Sequence, residues 1–92
     1  MRVERSFRGI TVRLAVRYLE NLGGEVVERE GGLATPDGSA VVADDDWEAT
    51  LTATRVSVGP SLTLTEVRVV FEGEDIDGLV ERFARKAVRA GG

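Results

Sequence analysis

The run Trp47-Glu48-Ala49-Thr50-Leu51-Thr52-Ala53-Thr54-Arg55-Val56-Ser57-Val58-Gly59-Pro60-Ser61-Leu62-Thr63-Leu64-Thr65-Glu66-Val67-Arg68-Val69-Val70-Phe71-Glu72 decides the fold. It is rich in Thr and Val, which suit a pleated, half-buried surface, and is broken once, at Gly59-Pro60-Ser61. Residues 47–58 and 62–72 are therefore expected as the two long strands of a hairpin. Trp47, Ala49, Leu51 and Ala53 share one face of the first strand, and Val67, Val69 and Phe71 share one face of the second, because side chains alternate along a strand. A loop at 59–61 pairs Ala53 with Val67, Leu51 with Val69 and Ala49 with Phe71 as one core face. It also sets Thr54 against Glu66 and Thr52 against Arg68 behind it.

Near the turn the phase slips. Val56 and Val58 on one strand, Leu64 and Leu62 on the other, fall on the back face in this register. Two outcomes are open. A bulge near residues 54–56, or a strong sheet twist, returns the four aliphatics to the core. Otherwise they form an exposed apolar patch at the hairpin tip, the mark of an interface with a second copy or another protein.

Working outward, residues 2–8 alternate with Val3 and Phe7 on one face, as in a short first strand. After Gly9, Leu14, Tyr18 and Leu22 recur at four, with Ile10, Ala15 and Leu19 widening the stripe into an amphipathic helix that Gly23-Gly24 ends. Residues 25–30 and 39–43 are shorter Val-rich strands, with Thr35-Pro36-Asp37-Gly38 a tight turn between them. From Ile76 the spacing is helical again: Ile76, Leu79, Val80, Phe83, Ala87 and Val88 form one stripe behind Asp75 or Asp77 as N-cap. The expected order is β-α-β-β-β-β-α. Each element buries its one apolar face if two helices cover one side of a mainly antiparallel five-stranded sheet, an α+β two-layer sandwich. The 92 residues make a single domain, 1–92, because so short a chain buries only roughly 60 to 65% of its unfolded surface in one core.

Composition narrows the function classes. A net charge of −4 disfavours a general nucleic-acid binder, whose affinity comes from cations on phosphate. Eleven of the twelve basic residues are Arg, with Lys86 the exception. That bias suits GC-rich coding and an acidic, salt-adapted proteome, and points to a haloarchaeal source. No apolar run reaches the roughly 20 residues of a membrane span, and Met1-Arg2-Val3-Glu4-Arg5 opens no secretory signal. The absence of cysteine fits a reducing compartment. A cytoplasmic protein without membrane or nucleic-acid partners is expected.

No catalytic residue stands out. Histidine and cysteine are both absent, which removes the ordinary neutral-pH base and the ready thiolate. Asp44-Asp45-Asp46 lacks the spaced donors of a calcium loop and reads as a solvated turn. Glu72, Glu74, Asp75 and Asp77 stand where a helix start favours negative charge, and Arg82, Arg85, Lys86 and Arg89 where its end favours positive charge. Neither a metal nor another cofactor is expected, nor is enzymatic activity. Arg85 and Arg89 are alternatively a surface that receives an acidic protein partner. The chain ends Ala90-Gly91-Gly92. A glycine pair stops a helix for conformational reasons. A free diglycine carboxylate is also the handle by which ubiquitin-like carriers are activated.

The segments Val58-Gly59-Pro60-Ser61-Leu62-Thr63-Leu64-Thr65-Glu66-Val67, Phe71-Glu72-Gly73 and Arg85-Lys86-Ala87-Val88-Arg89-Ala90-Gly91-Gly92 resemble the MoaD-related C-terminal domain family of archaea and bacteria. In that family such a domain follows a β-grasp module similar to the sulfur-carrying subunit of molybdopterin synthase. The resemblance implies an α+β sandwich without established catalytic residues, in the company of a β-grasp carrier and an adenylating enzyme. By similarity to small archaeal modifiers, Gly91 and Gly92 correspond to the activated end. The Gly92 carboxylate is then adenylated and passed on as thiocarboxylate or isopeptide, as in molybdopterin biosynthesis. Two functions follow as expectations: a diglycine-ended carrier working through Gly91 and Gly92, or a non-catalytic domain that binds a β-grasp partner, or itself, through Val56, Val58, Leu62 and Leu64.

Overall fold

A computed structural model describes residues 1–30, 38–57 and 59–89. The elements follow the expected order: β1 (Arg2–Arg8), α1 (Val12–Asn21), β2 (Glu25–Glu30), β3 (Ser39–Ala43), β4 (Trp47–Ser57), β5 (Thr63–Gly73) and α2 (Asp77–Arg89). The strands form one antiparallel sheet in the order β1-β5-β4-β3-β2. β2 to β5 are a meander of neighbours. β1 instead joins the far side of β5, and α1 carries the chain across the sheet from one edge to the other. The Thr35-Pro36-Asp37 part of the expected turn lies outside the described residues.

The central hairpin pairs Ala53 with Val67, Leu51 with Val69, Ala49 with Phe71, Thr54 with Glu66 and Thr52 with Arg68. Core-face parity and loop length together permit only this register. The pairing runs without interruption from Trp47–Gly73 to Ser57–Thr63. No bulge returns Val56 to the core.

The helices close one face of the sheet. Phe83 of α2 meets Phe7 of β1 and Phe71 of β5 edge to face, with centroids 5.3 and 5.5 Å apart, and Tyr18 of α1 approaches it at 6.2 Å. Thr11 caps α1, its hydroxyl oxygen accepting from the Leu14 N–H at 3.1 Å. The helix ends as expected. Gly23, at φ 106°, donates to the Glu20 carbonyl while Gly24 donates to that of Leu19, the paired bonds of a glycine-terminated helix. Val12, Ala15, Val16 and Leu19 are the buried side of α1, whereas Leu14, Tyr18 and Leu22 are half-buried at its flanks.

Two details differ from the sequence reading, and β2 carries an irregularity that it did not specify. Neither Asp75 nor Asp77 is the N-cap of α2, because Asp77 is already helical and the first helical bond runs from Val80 N–H to the carbonyl of Ile76. Ile76 is 1% exposed, so core burial selects the capping position here. Val88, assigned to the buried stripe, is 66% exposed, because it follows Ala84 along the flank of α2 while Ala87 takes the inward position. In β2 the pairing shifts between Val26 and Glu28, leaving Val27 in a bulge, 62% exposed. Two consecutive valines cannot both face inward.

Candidate functional site

Among the described residues no polar or charged side chain is buried. The core is wholly apolar, so chemistry and recognition belong to the surface. Three surface features bear on function.

The first is the hairpin tip. β1 pairs with β5 only as far as Glu66, and β3 pairs with β4 only as far as Thr52. Single bonds continue each ladder by one step, from Gly9 to the Thr65 carbonyl and from Ala53 to that of Gly38. Beyond them, among the described residues, β4 and β5 pair only with each other and form a two-stranded arm. The polarity of the sheet inverts there. In the body the apolar side chains face the helices; on the arm Arg55, Ser57, Thr63 and Thr65 occupy that side, and Val56 and Leu64 pair on the opposite one. Both are half-buried, and Leu62 is 52% exposed. Val58, expected beside Leu62, lies outside the described residues.

The second is the end of α2. Arg85 donates to Glu81 at 2.6 Å across one turn, both side chains about two-thirds exposed, a geometry worth only about 0.3 to 0.5 kcal/mol. Arg85 and Arg89 line a shallow groove with Glu81, Ala84 and Val88. Ala87 is the last buried residue of the helix, and Val88 and Arg89 are exposed. Residues 90–92, including Gly91 and Gly92, lie outside the described residues. Because α2 starts beside Trp47 and carries Phe83 back over Phe7, it runs toward the arm end of the sheet. The structure thus brings the arm and the last turn of α2 to one end of the domain, on opposite faces.

The third feature lies at the other end and was not anticipated. Asp46, Glu74, Asp75 and Arg82 surround Trp47 in an open cleft of about 350 Å³. The sequence reading assigned these acids separately to a turn and to a helix start, and no linear pattern joins them. Asp44 is structural: its carboxylate accepts from the Asp45 N–H at 2.9 Å and its N–H donates to the Trp47 carbonyl at 2.9 Å. Among the described residues no three such groups converge as metal ligands.

Compared with known families, residues 3–92 match the one described as archaeal MoaD-like protein, and the chain belongs to that family. The resemblance seen at the hairpin and the C-terminal segment therefore holds over the whole domain. Membership suggests a ubiquitin-like, sulfur-carrier type of protein that acts with protein partners. No curated protein matches the chain. Among the described residues no helix is long and apolar enough to cross a membrane.

Proposed function

We propose that this chain is a diglycine-ended protein of a MoaD-like sulfur-carrier system, non-enzymatic itself and activated at the Gly92 carboxylate in the cytoplasm. The observation that carries this reading is the family match, which runs through the Gly91-Gly92 end. In the activation step a carboxylate oxygen of Gly92 attacks the α-phosphorus of ATP and pyrophosphate leaves. Hydrosulfide then attacks the acyl carbon and AMP departs with the C–O electron pair, leaving a thiocarboxylic acid. Both co-reactants come through the adenylating enzyme.

An activating site needs a thin, extended tail, and α2 persists to Arg89. The burial pattern supplies the remedy. Nothing beyond Ala87 is anchored in the core among the described residues, so Val88 and Arg89 can unwind without exposing buried apolar surface. Residues 88–92 would then span about 17 Å when extended. Arg85, left on the helix, would flank the entry of that tail into an anionic pocket. Incubation with ATP, sulfide and a cognate adenylating enzyme, followed by intact-mass measurement, tests the reading. A mass gain of about 16 Da, sulfur for oxygen, supports it, and an unmodified Gly92 refutes it.

The arm favours a second reading, in which the domain binds a β-grasp carrier through Val56, Leu62 and Leu64, with Val58 beside them. Its support is the inversion of polarity at the point where the neighbouring strands stop. The element order also differs from a β-grasp module, which opens with a hairpin before its helix, whereas here α1 follows β1 directly. Binding of the isolated carrier, retained after removal of Gly91 and Gly92, would favour this alternative.

A further inference from the structure

The two edges of the sheet are not equivalent. β2 is guarded by the bulge at Val27 and by Glu25, Glu28, Arg29 and Glu30, the usual means of blocking further pairing. β1 is continuous in register from Arg2 to Arg8, with no bulge. The alternation of its bonds shows which groups remain free. The Met1 carbonyl accepts from Gly73 and Gly9 donates to Thr65, so odd-numbered residues bond to β5 and the N–H and C=O groups of Arg2, Glu4, Ser6 and Arg8 point outward.

Beside this edge runs a groove of about 360 Å³ between β1 and α2, floored by Val3, Val80 and Ala84 and rimmed by Arg5, Asp77 and Glu81. It continues along α2 to the exposed Val88. An open strand edge and an apolar helix stripe therefore share one side of the domain. An added strand would complete both.

We propose that this side is the interface of a homodimer in which β1 pairs antiparallel with β1 of a second copy, merging two sheets into one of ten strands. A two-fold axis normal to the sheet keeps the helices of both copies on one side. Three registers pair at least five residues of β1, and charge separates them. Centring on Glu4 opposes two Glu4 carboxylates, and centring on Arg5 opposes the two Arg5 side chains and also Arg2 to Arg8. Centring on Ser6 opposes Glu4 to Arg8 on both sides of the axis. Like charges facing each other destabilise a ladder and opposite charges support it.

The Ser6 register does more than avoid repulsion. On the back face Arg8 lies against Glu66 at 3.4 Å and Glu4 against Arg68 at 3.1 Å within each copy. Joining the copies there makes an alternating row, Glu66, Arg8, then Glu4 and Arg68 of the second copy. On the other face the two α2 helices run antiparallel and turn Glu81, Ala84 and Val88 toward each other. The occupant of this edge is thus a second copy of the chain.

Sedimentation equilibrium between about 10 µM and 1 mM, the range of modest interfaces, tests this arrangement. The wild-type chain is expected to reach twice the monomer mass. Ser6→Pro deletes an outward N–H and no bond to β5, so it should weaken association at least about tenfold with the circular dichroism unchanged. Glu4→Arg should weaken association too, and Glu4→Arg with Arg8→Glu should restore it. A monomer throughout the range, or a dimer indifferent to Ser6→Pro, overturns the proposal. If Ser6→Pro fails to fold, the charge pair decides: restoration by the exchange sustains it, and failure to weaken or to restore overturns it. None of these outcomes depends on activation of Gly92.

Discussion

Val56 stands directly opposite Leu64 on the sheet face that the helices leave open, on an arm where neither β1 nor β3 continues beside it. They lie past the ends of the flanking strands, paired with each other. A surface of this kind is recognised by what docks on it.

Leu62→Glu is therefore expected to leave the melting transition nearly unchanged, within about 0.5 kcal/mol, as for other exposed positions. If the arm docks a β-grasp carrier, the same substitution should abolish binding in a calorimetric titration. Loss of the fold instead would mean that Leu62 belongs to the core.

Phe83 holds the two layers together through edge-to-face contacts with Phe7, Phe71 and Tyr18. Removing its ring leaves a cavity between α2 and the sheet, and Phe83→Ala should cost about 3 to 5 kcal/mol. For a domain of this size that is a large share of the total. Urea unfolding should show a much lower midpoint, and a loss under about 1 kcal/mol would contradict the placement of α2.

Gly73 ends β5 at φ 150°, where an added Cβ would run into the carbonyl oxygen of Asp46 and meet Trp47 Cα at 3.0 Å. Backbone atoms cannot yield as a side chain does. Gly73→Ala should destabilise the fold by about 1 to 3 kcal/mol. Gly59→Ala provides the contrast, for it also has positive φ but meets no atom within 4 Å, and should cost only about 1 to 2 kcal/mol of backbone strain. Thermal melts of the two variants should rank in that order.

Much of this architecture can be read from the chain because two independent constraints coincide in the hairpin. The parity of Leu51, Ala53, Val67 and Val69 and the three residues of the loop demand the same register. The side chains at the tip obey that register too, so Val56 and Leu64 lie on the back face, one of the two outcomes the sequence left open. What could not be read depends on residues distant in sequence. Nothing in Arg2–Arg8 says that it will pair with β5 rather than β2, so the open edge along β1 was invisible. Nor does any spacing tell that Val88 falls on the exposed flank of α2 while Ala87 faces inward. Asp46 and Glu74 meet around Trp47 only because the β3–β4 turn and the start of α2 fall at one end of the sandwich.

The C-terminal segment separates structure from function most cleanly. Ala87 is fully buried, whereas Val88 and Arg89, the last described residues, are exposed. Deleting Gly91 and Gly92 should therefore shift the melting temperature by no more than about 1 to 2 °C. Ala87→Asp, which forces an unpaired carboxylate into an apolar core, should unfold the domain or cost several kcal/mol. Under the carrier reading, the deletion should also eliminate the ATP- and sulfide-dependent mass gain completely. Arg89→Gly, which lowers helix propensity by roughly 1 kcal/mol at the turn that must unwind, should speed that reaction while leaving its extent unchanged. A deletion variant that melts as the wild type does and still gains the mass would remove Gly92 from the mechanism; a slower Arg89→Gly variant would mean that the guanidinium, rather than the unwinding, governs entry of the tail.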